Sequence, residues 1–171
     1  MDGGAGAPSG ATGAWASIGL ERTELAELLQ HSDSVVVCAP LTADTLHLLD
    51  HQAMTSMRPG ALLVNVGRGS VVHEDAVAQL LRSGHLGGYA ADVFEFEDLS
   101  RPDRPSGLHP DLMELTSHTL FTPHLGSAVA TARLAIEEHA ARSILQSLAG
   151  KMPDGAVNDP RKPSTSSVPA V

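Results

Sequence analysis

GALLVNVGRGSVVHEDAVAQLL, residues 60–81, decides the fold. The stretch opens with an apolar run, Ala61 to Val64, and breaks at Gly67-Arg68-Gly69-Ser70. It resumes with Glu74 and Asp75 ahead of Val77, Leu80 and Leu81. A short apolar run bounded by turn residues reads as a buried strand, and apolar residues three and four apart read as one face of a helix. Strand, turn and helix are therefore predicted in that order, with Gly84 closing the helix because a glycine accepts the left-handed conformation a helix end favours.

The same alternation extends both ways. Upstream, Thr23 is positioned to cap a helix running through Gln30, with Leu25, Leu28 and Leu29 on one face. Val35 to Cys38 follows as an apolar strand, and Asp50 caps a brief helix carrying Ala53, Met54 and Met57 that Pro59-Gly60 stops. Downstream, Tyr89 to Val93 and Leu120 to Thr122 are strands, and a last helix runs from a Ser127 cap to about Leu148, where Gly150 ends it. Strands near 35–39, 61–65, 88–93 and 119–122, with helices between them, specify an α/β domain built on a parallel sheet. The three-proline segment from Asp98 to Ser117 reads as a long irregular connection, of a kind that is often functional or mobile.

Residues 1–20 are mostly Gly, Ala, Ser and Thr without period and read as a disordered or mis-started segment. Residues 21–150 hold the ordered domain, and 151–171 read as a flexible tail rich in Pro and Ser. A length of 171 residues suits one domain. The net charge of −9 argues against nucleic acid or an anionic membrane as partner, since phosphates would be repelled. An anionic substrate must then be held by local cations. Cys38 is the only cysteine, so no intrachain disulfide forms, and a reducing, cytoplasmic setting is expected. No apolar run is long enough for a bilayer, and the histidines do not cluster with Cys or Asp as metal ligands do.

In open parallel sheets the carboxyl ends of the strands form the ligand crevice. Three ionisable residues follow strand ends: Arg68, Glu97 and His124. Arg68 offers a planar fork of donors suited to a carboxylate or phosphorus oxyanion, although a surface arginine in a tight turn would look the same. His124, held between Pro123 and a helix start, suits a general base. A carboxylate beside it would raise the imidazole pKa and fix its tautomer, and composition does not choose among Glu95, Glu97 and Asp98 for that task. Asp92, in an otherwise apolar strand, requires a donor or a position at the strand mouth; a structural hydrogen bond or a ligand contact satisfies it equally.

These strand-end residues resemble the D-isomer-specific 2-hydroxyacid dehydrogenase family in its C-terminal, NAD-binding part. The resemblance spans about Leu25 to Asn158. It is carried by Ser32-Asp33, Pro40-Leu41-Thr42, Val64-Asn65-Val66-Gly67-Arg68-Gly69, Ala91-Asp92-Val93-Phe94-Glu95-Phe96-Glu97 and Thr122-Pro123-His124-Leu125-Gly126, in that order. Within the family, ADTLHLL (43–49), GGYAADVFEFED (87–98), RPDRP (101–105), TLFTPHLGSAV (119–129) and the closing LAG and AVN resemble the phosphonate (phosphite) dehydrogenases.

The resemblance implies roles. Arg68 grips the substrate anion, His124 is the acid/base, and Glu97 orients and charge-tunes it. Asp92 bonds the nicotinamide carboxamide, and Cys38, Ala39, Pro40, Val66 and Gly67 line the cofactor. Ser127 and Arg133 shape the substrate pocket of a phosphonate-type enzyme. The implied cofactor is NAD, with NADP an open alternative, and family members form homodimers. The implied fold is a partial Rossmann-like, doubly wound parallel sheet lacking the first βαβ unit and the substrate domain. The sequence contains no G-x-G-x-x-G, the turn that cradles a pyrophosphate. A truncated, weakly active or inactive dehydrogenase is therefore expected, the alternatives being a hydroxypyruvate or glyoxylate reductase and a non-catalytic partner-binding module.

Overall fold

A computed structural model describes residues 19–156. The readings made for residues 1–18 and for 157–171 lie outside the described residues. The chain divides into two compact units, one ending at Pro123 and one beginning at His124.

The first unit is built on four parallel strands, β1 (Ser34–Val37), β2 (Ala61–Asn65), β3 (Leu86–Ala91) and β4 (Thr119–Phe121), adjacent in chain order. Val35 pairs with Leu63, Leu63 with Tyr89 and Tyr89 with Thr119. The helices are α1 (Leu25–His31), α2 (His51–Thr55), α3 (Glu74–Arg82) and α4 (Pro110–Glu114). The parallel α/β reading of the sequence is the fold observed.

One face of the sheet carries the core. Val35, Val37, Ala61, Leu63, Tyr89 and Ala91 are buried with Leu29, Met54, Val77, Leu80, Leu81 and Leu112 from the helices and with Met57, just past α2. Their alternates Val36, Leu62 and Leu120 are exposed. The strand around Val35 is thus half-buried rather than buried on both faces, as an all-apolar run suggests, because strand side chains alternate. Phe121 meets Tyr89 and Phe94 edge-on, with centroids 6.0 and 5.3 Å apart, and so ties the last strand to the core. Between Ala61 and Leu62 the pairing to β3 skips a residue. Gly87 occupies that irregularity because a Cβ there would stand 2.4 Å from the carbonyl oxygen of Gly60.

The helix ends divide into expected and unexpected. Asp50 caps α2 as anticipated, accepting from the Ala53 N–H at 2.8 Å. Thr23 does not cap α1: Glu24 holds the cap position without a side-chain bond, and the Thr23 hydroxyl is spent on the Glu27 carboxylate. The 98–117 connection is not wholly irregular, since His109 and Pro110 start the short helix α4, which buries Leu112 in the core. Proline at a first helical position loses no hydrogen bond, and this was the available signal.

The second unit is dominated by α5 (Ala130–Leu148). Val129, not Ser127, precedes it, because residues 125–128 close their own turn through the Ala128 N–H to the Leu125 carbonyl at 2.9 Å. The expected stop at Gly150 is present. Its φ is +70°, its N–H reaches the Ser147 carbonyl, and the Lys151 N–H reaches the Gln146 carbonyl at 2.9 Å, the paired bonds of a left-handed helix end.

Candidate active site

Asn65 shapes the turn that follows β2. Wholly buried, it folds its side chain back so that Oδ1 accepts from the Gly67 N–H at 3.1 Å and Nδ2 donates to the Arg68 carbonyl at 3.0 Å. Buried polar groups are costly unless bonded, and these two bonds fix the path of the next four residues. Nothing in the apolar periodicity flagged Asn65; an amide between an apolar strand and a glycine was the signal available.

Both glycines of the turn are compelled by close packing. A Cβ on Gly67 would lie 2.6 Å from the Ala39 carbonyl oxygen, so the ends of β1 and β2 meet there without a side chain between them. A Cβ on Gly69 would fall 1.9 Å from the Phe94 carbonyl carbon, which presses the turn after β2 against the chain after β3. Arg68, between them, has an extended backbone and an exposed side chain whose Nη1 donates to the Gly67 carbonyl at 2.8 Å.

The three acids that composition left equivalent have different environments. Glu95 is buried and exchanges bonds with Glu74: each carboxylate accepts the other's backbone N–H at 2.8 Å. Glu95 also accepts from Arg101 at 3.2 Å and lies 3.1 Å from His47. Asp98 is buried and accepts the Ser70 N–H at 2.7 Å. Glu97 is partly exposed and lines a groove with Arg68. Burial above all pushes Glu74 up from an ordinary 4.5 to about 7. The negative charges of Glu95, Asp75 and Asp98 add to that shift, and the hydrogen bond from the Glu95 N–H opposes it.

The groove lies at the carboxyl ends of β1 and β2 and encloses about 710 Å³, a volume that suits a small ligand or half a dinucleotide. Its lining includes Cys38, Ala39, Pro40, Val66 and Gly67, five of the six residues anticipated to contact cofactor, together with Arg68 and Glu97. The Pro40 carbonyl is pinned by the Thr45 hydroxyl at 2.7 Å. The groove has a mixed lining, in which the apolar side chains of Ala39, Pro40, Leu41 and Val66 face a guanidinium and the carboxylates of Glu97 and Asp98.

Asp92 does not line that groove. It sits at the mouth of β3, where its N–H donates to the Asn65 carbonyl at 3.0 Å and its carboxylate accepts from the Thr122 hydroxyl. His124, Ser127 and Arg133 belong to the second unit, and all three are exposed there. His124 has φ +55°, a conformation uncommon for a residue with a Cβ, and residues held in that way cluster at functional sites. Among the described residues, no group of His, Cys, Asp or Glu is arranged to hold a metal ion, and no helix is long and apolar enough to cross a membrane.

A parallel sheet with helices on its core face and a ligand groove at the strand carboxyl ends defines an α/β nucleotide-binding domain. Residues 7–126 match the family described as D-isomer specific 2-hydroxyacid dehydrogenase, NAD binding domain, and the chain belongs to that family. A glyoxylate reductase of Thermococcus onnurineus is 37% identical over 141 residues, covering 82% of this chain and 40% of that enzyme. An (S)-sulfolactate dehydrogenase of Chromohalobacter salexigens is 46% identical over 113 residues, covering 66% of this chain and 33% of the relative. Among solved structures, the holo form of Rhodotorula graminis D-mandelate dehydrogenase superposes with a TM-score of 0.75 at 31% identity, covering 92% of this chain and 44% of that one. The chain thus spans about two fifths of the length of the curated relatives it matches.

Proposed function

We propose that this chain carries the nicotinamide side of an NAD-dependent oxidoreductase site acting on a small oxyanion, with phosphite as the leading substrate. The observation that supports the reading most is the single groove joining Arg68 and Glu97 to Cys38–Pro40 and Val66–Gly67. Phosphite is favoured by ADTLHLL, GGYAADVFEFED, RPDRP and TLFTPHLGSAV, the stretches that resemble phosphonate dehydrogenases. A cytoplasmic location follows from the lone, exposed Cys38, and a homodimer from the family resemblance.

In this reading the Arg68 guanidinium pairs with the substrate anion and fixes its orientation. Bound NAD supplies the carbon that accepts hydride. His124 takes a proton, from the water that attacks phosphorus when phosphite is oxidised, or from the hydroxyl when a 2-hydroxy acid is. The family resemblance gives Glu97 the task of orienting and charge-tuning that histidine. By the family resemblance Asp92 would accept from the nicotinamide carboxamide. Cys38 to Pro40, with Val66 and Gly67, would line the cofactor, and the family resemblance gives Ser127 and Arg133 a part in shaping the substrate pocket. NADP remains the alternative cofactor.

A second reading is reduction of glyoxylate or hydroxypyruvate, with His124 giving rather than taking the proton. The names of the glyoxylate reductase relatives favour it. The purified chain, incubated with NAD or NADP and phosphite, D-lactate or D-glycerate, and with the reduced cofactors and glyoxylate or hydroxypyruvate, separates the two by nicotinamide absorbance. Weak phosphite-dependent NAD reduction that is lost in His124→Asn is the expected result. Turnover of glyoxylate without phosphite moves the conclusion to the second reading. No turnover of any pair refutes both.

A further inference from the structure

Building on that catalytic reading, we propose that Arg101 is a positioning residue whose guanidinium clasps the turn carrying Arg68 to the turn carrying Glu97, so setting the spacing of the anion anchor and the carboxylate. Each turn contains a single turn of 3-10 helix, Gly69–Val71 and Glu95–Glu97 respectively. They already touch through Gly69 and Phe94, and the Ser70 backbone N–H donates to the Asp98 carboxylate across them. Arg101 adds the link that joins side chain to side chain. Its Nη1 donates to the Ser70 hydroxyl at 3.1 Å and to Glu95 Oε2 at 3.2 Å and lies 3.3 Å from His47 Nε2. Its Nε and Nη2 fork onto Asp103 at 3.3 and 3.0 Å.

The side chain is only 14% exposed, and its bonds to Ser70 and Glu95 are partly buried while those to Asp103 lie at the surface. Serving Ser70, Glu95 and Asp103 together takes several donors in a fixed plane, which a guanidinium has and an ammonium lacks. Arg104 braces the same segment, donating from Nε to the Phe96 carbonyl and from Nη1 to the Arg101 carbonyl, each at 3.1 Å. The RPDRP stretch thus holds the second turn by its backbone and the first by a hydroxyl. Without the Arg101 cation, Glu95 would face Glu74 with only the His47 ring left beside it.

Arg101 also borders a cavity of about 490 Å³ lined by His47, His73, Glu74 and His109, wide enough to admit a small guanidinium ion. This allows a direct test on the whole chain. Amide hydrogen exchange in wild type, Arg101→Ala and Arg101→Lys reads the clasp through Ser70, whose N–H bonds Asp98, and Glu95, whose N–H bonds Glu74. Arg101→Ala is expected to speed exchange at Ser70 and across 95–98 by roughly tenfold to a hundredfold while Leu63 and Val77 keep their rates. Methylguanidinium below denaturing concentration restores protection, and Arg101→Lys restores it in part.

In the kinetic arm, Arg101→Ala raises KM for the anion and lowers kcat together, and methylguanidinium recovers both. Unchanged exchange at Ser70 and Glu95, a uniform loss across the sheet, or failure of methylguanidinium to restore protection overturns the proposal. If exchange behaves as expected but wild type turns over neither phosphite nor glyoxylate, the clasp is supported and the catalytic reading is the one that fails.

Discussion

Replacing Glu74 by Gln tests the buried carboxylate pair quantitatively. In wild type the Glu74 carboxyl is 2% exposed, its Oε1 accepts the Glu95 N–H, and its Oε2 has no hydrogen-bond partner. Burial pushes its pKa from 4.5 to about 7, so between those values the folded chain keeps a proton that the unfolded chain has released. A folded state that binds more protons loses stability as pH rises. The loss starts near 4.5, is complete just above 7, and amounts to about 3 kcal/mol at 1.36 kcal/mol per pKa unit.

Glutamine keeps an oxygen for the Glu95 N–H and puts an amide where the unpartnered oxygen stood, so the cost at low pH is small. Urea unfolding followed by circular dichroism, from pH 4.5 to 8.5, gives the two stability curves. The difference between variant and wild type should swing toward the variant by about 3 kcal/mol across that window, with histidines and other carboxylates cancelling between the curves. Parallel curves would show that Glu74 is ionised in the fold throughout, and would refute the reasoning.

Two more predictions concern the turn after β2. Gly69→Ala places a methyl 1.9 Å from the Phe94 backbone, so the two turns must part; a loss of about 3 kcal/mol in urea unfolding is expected, and a loss below about 1 would show that the contact yields easily. Asn65→Ala removes the Gly67 and Arg68 bonds and leaves the Gly67 N–H without its acceptor; it should cost roughly 2–3 kcal/mol and speed amide exchange at Gly67 far more than at Val77.

What the sequence revealed and what it hid follow from the range of the interactions. Short-range signals were sufficient for the sheet: the 61–64 run, the Asp50 cap and Gly150 each depend on neighbours within a few residues, and each is found where expected. The caps at Thr23 and Ser127 failed because a hydroxyl has competing local partners. Thr23 bonds a side chain one turn on, and the chain around Ser127 closes a turn of its own before the helix begins.

For the site, the position of Arg68 between two glycines was legible, but the reason for the glycines was not. Each accommodates backbone distant in sequence, Ala39 for one and Phe94 for the other. The choice of Glu97 from three acids was equally hidden from composition. The structure separates their environments, since Glu95 and Asp98 are buried in contacts to Glu74, Arg101 and Ser70, up to 28 residues away in the chain, while Glu97 is partly exposed. The task of RPDRP, holding two turns together, was hidden because Arg101 bonds Ser70, 31 residues away in the chain.

The most direct test of the central claim is an amide chemical-shift titration of the labelled chain with NAD. The account predicts that Cys38, Ala39, Val66 and Gly67, which line the groove at the strand carboxyl ends, move first and saturably. Shifts that spare those residues and gather around His73 and His109, or a spectrum that NAD leaves unchanged, would contradict it.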